Sequence, residues 1–74
     1  MAMTESTNIG TPLTALTPTQ RMVANLIAQG RLNKQIAHEL GIAEGTVEVH
    51  VKTILRRLNV RNRTEIAVIV TRSS

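Results

Sequence analysis

Residues 44–58 place the tightest constraint on the fold, because apolar side chains recur there every three or four positions. On a helical wheel these apolar positions all lie within about 40° of the first of them and form one stripe. They are Val47, Val51, Ile54 and Leu58. The nearly opposite side of the wheel carries Val49, Lys52, Thr53 and Arg56. The pattern predicts a helix from about Glu44 to Leu58 that buries one side and presents a basic side.

Start and stop signals predict a first helix upstream. Thr17 is a suitable N-cap, the proline that follows it suits the first helical position, and Gln20 completes a capping box. Gly30 supplies a left-handed stop. Residues 1–15 are rich in Thr, Ser, Gly and Pro without an apolar period, so we expect a flexible, disordered tail or linker there. The ordered domain is then expected to cover residues 16–74.

The same signals predict two more helices. A short helix covers about residues 33–40 and ends at Gly41. Asn62 and Glu65 form a second capping box, which opens a helix over about residues 63–71. Four helices with short connections and no credible strand predict an all-α fold, a four-helix bundle.

The second and third predicted helices have the proportions of a helix-turn-helix, at about residues 33–58. Ala37 is small enough to let the two helices approach each other. Gly41, four residues later, can adopt the positive φ that the turn needs. Ile42 and Val47 are expected to fill the angle between the helices. This agreement at several positions favours a helix-turn-helix over a chance Ala-x-x-x-Gly.

The composition excludes several other classes of protein. A chain of 74 residues buries too little surface to form a deep active-site cavity. The absence of cysteine excludes a thiolate zinc site, and the absence of Phe, Tyr and Trp removes the rings on which single-stranded nucleic acids stack. No carboxylate pair, nucleophile–base pair or phosphate-binding glycine loop is present. We therefore expect no enzyme activity, no metal site and no cofactor.

Two further features lead us to expect a soluble, cytoplasmic protein with no membrane contact. The longest apolar run is the five residues Ile66-Ala67-Val68-Ile69-Val70, whereas a membrane-spanning helix needs about 20. The first ten residues lack the basic and apolar regions of a signal peptide.

The charge distribution suggests the chemistry of a partner. The formal net charge is +4, and residues 49–64 contain five basic side chains and no acidic one. A localised positive field attracts a polyanion, because each neutralised phosphate releases condensed counterions. The alternative is an ordinary basic surface in contact with solvent.

The residues of these helices form a pattern that extends through most of the chain. Its motifs are Leu16-Thr17-Pro18, Asn33-Lys34-x-Ile36-Ala37, Thr46-Val47-x-x-His50 and Arg63-Thr64. The pattern resembles the LuxR-type (NarL/FixJ) DNA-binding domain over about residues 16–70. The resemblance implies four helices that bind double-stranded DNA as a homodimer and regulate transcription, as in LuxR-family response regulators.

The resemblance also implies the roles of individual residues. The third helix, about residues 44–58, would enter the major groove while the second helix lies across the backbone. Lys52 would read guanine O6 and N7, and Val49 would contact a thymine methyl group. The positions implied to read bases are Glu48, Val49, Lys52 and Arg56. The positions implied to contact phosphates are Asn33, Lys34, Thr46, Arg57 and Arg61.

Several of these residues also have simpler interpretations. Lys52 could pair with Glu48 one turn back on the helix. His50 is expected to be a packed histidine rather than a proton carrier or a ligand. Arg63 is expected to link helices through backbone carbonyls or through Glu65. The remaining apolar residues expected to fill the core are Met22 and Leu55.

The sequence departs from the family's pattern at several positions. Glu48 lies where a lysine is usual, and it could either accept from cytosine N4 or repel phosphate. Leu32 and Ala43 replace the Ser or Thr that would cap the second and third helices. Each lost cap costs about 1 kcal/mol, with partial compensation expected from Asn33 and Glu44.

The predicted fourth helix contains the five-residue apolar run 66–70. Its β-branched residues argue for a strand, but the capping box before them favours a helix. A small domain can bury only one side of such a helix, so a second copy of the chain is expected to cover the other. The alternative is that this helix packs wholly on its own domain. The residues expected in the dimer interface are Ile66, Val68 and Ile69.

Two other functions remain open at the level of the sequence. A sigma region-four-like module uses a similar helix-turn-helix on promoter DNA and also contacts RNA polymerase; the segment Val60-x-x-Arg63-Thr64 argues against it. A protein-interaction adaptor would instead use the fourth helix and leave the basic surface without a role. Binding to random DNA that is lost at modest salt would favour the adaptor.

Overall fold

The computed structural model describes residues 13–73. The tail expected at residues 1–15 lies outside the described residues except for its last three positions. Residues 13–16 make a helical turn, in which the Leu16 N–H donates to the Leu13 carbonyl oxygen at 3.2 Å. Leu13 packs against the core, so the folded structure includes three residues that the composition assigned to the tail.

Four helices follow this turn, and the described chain is all-α as predicted. Helix α1 spans Pro18–Ala28, α2 spans Asn33–Leu40, α3 spans Glu44–Leu58 and α4 spans Arg63–Ser73. Between residues 13 and 73 there is no strand, so the β-branched run in α4 is helical. Nor does any helix in this part of the chain combine the length and the apolarity that crossing a membrane requires.

Side-chain caps define where α1 and α4 begin. The Gln20 N–H donates to Thr17 Oγ1 at 3.2 Å, and the Thr17 N–H donates to Gln20 Oε1 at 3.0 Å, which is the predicted capping box. At α4 the Glu65 N–H donates to Asn62 Oδ1 at 3.0 Å. The Glu65 carboxylate, however, accepts from the Arg61 N–H at 2.6 Å and not from the N–H of Asn62. The second capping box is therefore incomplete: the Asn62 side chain accepts as predicted, but the Glu65 side chain bonds to the residue before Asn62.

Helices α1, α2 and α3 end in the same way, next to a residue in the left-handed region. These residues are Gly30 with φ 86°, Gly41 with φ 69° and Asn59 with φ 57°. In each case the following residue donates its N–H to a carbonyl oxygen five positions back, at 3.0 to 3.1 Å. The two glycine stops confirm the prediction, whereas the stop at Asn59 was not predicted. Asn tolerates this conformation because its short polar side chain bonds locally.

One aliphatic core joins the four helices. Helix α1 packs most extensively against α4, α2 packs mainly against α3, and the contact between α1 and α2 is the sparsest of these. The expectation that Met22 fills the core is wrong, because Met22 falls outside the buried arc of α1 and is 47% exposed. Leu55 is half-buried and packs against the core. The large side chains with 0% exposure are Val23, Ile36, Val47, Ile54 and Ile66.

We predict that Ile66→Ala lowers the free energy of unfolding by about 2–5 kcal/mol, because it leaves a cavity where a side chain had 0% exposure. Val68→Ala on the same helix, where the side chain is 42% exposed, is the matched control and should change this free energy by about 0.5 kcal/mol or less. Urea denaturation at low protein concentration, followed by circular dichroism, measures both. Equal losses for the two variants would contradict this description of the core.

Candidate nucleic-acid interface

Helix α3 exposes the side chains that the resemblance assigned to bases. Val49 is 62% exposed although it is apolar, while Val47 and Ile54 on the other side are 0% exposed. At 3.6 residues per turn, the four assigned positions lie within an arc of about 100° and extend over about 12 Å of the helix axis. We call this surface the α3 exposed face. Its residues are Glu48, Val49, Lys52 and Arg56, all exposed.

The turn before α3 and the core beneath it hold this face in position. Gly41 has the predicted positive φ, and the Ile42 N–H donates across it to the Ala37 carbonyl oxygen at 3.0 Å. Ala37 is buried, and Ile36 of α2 belongs to the same core as the buried side of α3. The orientation of α3 relative to α2 therefore depends on packing between two rigid elements.

The residues assigned to phosphates lie in different parts of the domain. Lys34 and Thr46 are exposed in the first turns of α2 and α3, where backbone N–H groups favour an anion. Arg61 is exposed in the connection before α4. Arg57 is exposed near the end of α3, but its Nη1 also donates to the Ala15 carbonyl oxygen at 3.1 Å. Arg57 thus already holds the chain that leads into α1.

Asn33, the fifth residue assigned to phosphate, is half-buried and bonded to Arg63. Arg63 Nη1 donates to Asn33 Oδ1 at 2.6 Å, and Arg63 Nη2 donates to the Arg31 carbonyl oxygen at 2.6 Å. The linking role predicted for Arg63 is confirmed, with a backbone carbonyl as one acceptor. Its bond to Asn33 was missed, since no sequence signal pairs residues 30 positions apart.

The start of α2 is held without a side-chain cap from Leu32, as the sequence indicated. The compensation expected from Asn33 is wrong, because its Oδ1 accepts from Arg63. Gln35 compensates instead, since its Oε1 accepts from the Leu32 N–H at 2.8 Å. Ala43 likewise gives no cap to α3, where Glu44 lies in the first turn and interacts favourably with the helix dipole.

The ion pair considered between Lys52 and Glu48 does not form. Within residues 13–73 the ion pair observed joins Arg31 Nε to Glu39 Oε1 at 3.6 Å. His50 is half-buried beside the apolar stripe of α3. The charged side chains of the α3 exposed face form no ion pair within the described residues, so all three are available to another molecule.

The structure separates the three residues expected in a dimer interface. Ile66 has 0% exposure and faces the core, so its assignment to the interface is wrong: a partner could reach it only by unpacking the domain. Val68 is 42% exposed and Ile69 is half-buried. The accessible apolar surface of α4 is therefore centred on Val68.

The fold and the exposed face together define a class of protein. Two helices joined by a tight turn, the second of them exposing basic side chains, form the helix-turn-helix of DNA-binding domains. The model of the bacterial regulatory proteins of the luxR family matches residues 14–70. The chain belongs to this family and is a helix-turn-helix DNA-binding domain of the kind found in its transcription regulators. This assignment confirms the resemblance stated from the sequence.

Individual relatives agree with the family. The nitrate/nitrite response regulator protein NarL of Escherichia coli is 51% identical over 53 residues, which are 72% of this chain and 24% of NarL. The two-component response regulator PprB of Pseudomonas aeruginosa is 47% identical over 53 residues, covering 72% of this chain and 19% of PprB. The DNA-binding transcriptional activator DevR/DosR of Mycobacterium tuberculosis is 40% identical over 60 residues, covering 81% of this chain and 28% of DevR/DosR. The chain thus spans between 19% and 28% of the length of these relatives.

We predict that Gly→Ala substitutions in the turn before α3 and in the first turn of α3 have opposite effects on the free energy of unfolding. Gly41 has φ +69°, so Gly41→Ala should lower the free energy of unfolding by about 1 kcal/mol through backbone strain alone. Gly45 lies in α3 with nothing within 4 Å of an added Cβ, and Gly45→Ala should raise this free energy by about 0.5 kcal/mol. Thermal denaturation measures both variants. A stabilising Gly41→Ala would show that the turn does not require its positive φ.

Proposed function

We propose that this chain is the sequence-specific, double-stranded DNA-binding part of a bacterial transcription regulator, acting in the cytoplasm where the chromosome lies. The observation that carries the proposal is the α3 exposed face, where an apolar Val49, 62% exposed, lies among charged side chains that form no ion pair within the described residues. An exposed valine has no favourable role in water, whereas in the major groove it suits a thymine methyl group.

Helix α3 has the dimensions that direct base reading requires. The major groove of B-DNA is about 12 Å wide and admits one α-helix. Lys52 would donate to guanine O6 and N7, as a point charge rather than the rigid fork that an arginine offers. Glu48 would accept a hydrogen bond from cytosine N4. Arg56, one turn further along α3 than Lys52, would contact a neighbouring base. Each good base contact discriminates against a wrong base by about 1–3 kcal/mol.

The remaining basic and polar residues would orient the domain without reading sequence. Lys34 and Thr46, in the first turns of α2 and α3, would contact phosphates together with the backbone N–H groups there. Asn33, Arg57 and Arg61 would supplement them. Arg57 could do so with the nitrogen atoms that its bond to Ala15 leaves free.

A homodimer through α4 would complete the binding site. Val68 is an exposed apolar residue in the middle of α4, and Ile69 beside it is half-buried. A two-fold axis at this surface would cover both and place two α3 helices about one DNA turn apart. The preferred site would then be an inverted repeat.

The first experiment separates base reading from phosphate binding. In vitro selection from random DNA identifies a preferred duplex, and fluorescence anisotropy over a salt series measures affinity for this duplex and for single-base variants. Lys52→Ala should abolish discrimination at one base pair, worth about 1–3 kcal/mol. Lys34→Ala should weaken binding to all sequences alike and reduce the salt slope by about 0.9. Arg21→Ala, an exposed residue of α1, is the matched control for loss of one positive charge.

Two results of that experiment would contradict the proposal. The first is a Lys52→Ala variant that keeps the full preference of the unmodified domain. The second is a Lys34→Ala variant that changes the preferred sequence while its overall affinity stays intact.

The dimer is tested by placing a charge on the accessible surface of α4. Val68→Asp should give a monomer by sedimentation and remove cooperative binding to the inverted repeat, while binding to a half-site stays unchanged. Met22→Asp is the matched control, since Met22 is an apolar residue of α1 with a similar exposure, 47% against 42%. Sedimentation of the unmodified domain as a monomer at high concentration, with and without DNA, would remove the dimer from the proposal.

A further inference from the structure

The side chain of Asn33, which the proposed function assigns to a DNA phosphate, is held by a residue of another helix. Arg63, the first residue of α4, donates from Nη1 to Asn33 Oδ1 and from Nη2 to the Arg31 carbonyl oxygen, both at 2.6 Å. We propose that Arg63 is a positioning residue for DNA binding: it orients the Asn33 amide toward the phosphate and does not contact DNA itself. This inference rests on the proposed function.

The chemistry of the two side chains determines which group of the amide is presented. A guanidinium carries only donors, so Asn33 must direct its carbonyl oxygen toward Arg63. The amide Nδ2, with two N–H donors, then points away from Arg63. A phosphate oxygen accepts hydrogen bonds only, so this orientation is the one that suits a phosphate. An amide free to rotate would present its oxygen to the phosphate part of the time.

The surroundings of Asn33 explain why the link comes from α4. Leu32 offers no side-chain cap, and α2 packs mainly on α3 with little contact to α1. The Arg31–Glu39 ion pair lies at the surface, with side chains 44% and 49% exposed. Surface ion pairs of this kind contribute little to stability. Arg63 and Asn33 are both half-buried, which shields their bond from water. The Arg63 guanidinium therefore joins the start of α2 to the start of α4.

Four variants test this role: Asn33→Ala, Arg63→Ala, the double variant, and Asn33→Asp. Their affinities for the selected duplex, their salt slopes and their melting temperatures are compared with those of the unmodified domain. Asn33→Ala and Arg63→Ala should each lower affinity by about tenfold. Because Arg63 acts through the Asn33 amide, the double variant should also lose about tenfold, not about a hundredfold.

Asn33→Asp separates folding from positioning. The carboxylate keeps an acceptor for Arg63, with a stronger, charge-assisted bond, so the melting temperature should not fall. It has no N–H donors and repels phosphate, so affinity should fall by tenfold or more. Unchanged affinity of this variant would overturn the inference even if Arg63→Ala fails to fold.

Three results would overturn the inference. Multiplied losses in the double variant would mean that the two residues act independently. A salt slope lowered by about 0.9 in Arg63→Ala would mean that Arg63 itself contacts a phosphate. Unchanged affinity of Asn33→Asp would mean that the amide donors are not used. If Lys52→Ala loses discrimination in the same assays, these results leave the proposed function standing; if the unmodified domain selects no sequence, the proposed function itself fails.

Discussion

The burial of one stripe of α3 is the interaction on which the rest of the structure depends. Val47 and Ile54 have 0% exposure and meet the buried side chains of the other three helices in a core without a single aromatic ring. A helix that buries one side this completely must present its other side to the surroundings. The exposure of Val49 is therefore a direct consequence of the packing on the far side of the same helix, and any change in that packing would rotate the exposed face with it.

A core this small leaves polar bonds to fix where each helix begins and ends. The capping box at Thr17, the left-handed residues that follow α1, α2 and α3, and the Asn62 cap each set one end of a helix. Apolar packing then sets the angles between the helices. The two kinds of interaction are complementary, because caps satisfy the backbone groups at the helix ends whereas packing buries one face of each helix.

The sequence predicted those parts of the structure that are encoded locally. The helix starts at Pro18, Asn33 and Glu44, the stop at Gly41 and the buried stripe of α3 all depend on residues within one or two turns of each other, and they were found. The wrong assignment of Ile66 and the missed bond from Arg63 to Asn33 concern long-range geometry. Whether Ile66 faces the core or a partner depends on how α4 rotates against α1, and the five-residue apolar run gives no period from which to read that rotation. The base and phosphate assignments came from resemblance, and they stay predictions until DNA binding is measured.

The link from Arg63 to Asn33 illustrates the kind of contact that the sequence does not predict. The domain consists of two well-packed pairs, α1 with α4 and α2 with α3, and α1 makes its sparsest contact with α2. Between these two pairs, the half-buried Arg63 guanidinium with its two acceptors supplies a directional connection that aliphatic side chains cannot. Such a bond joins residues far apart in the chain and follows no periodicity, so only the folded structure reveals it. The bond from the exposed Arg57 to Ala15 likewise joins residues far apart in the chain, and it links the chain that enters α1 to the end of α3.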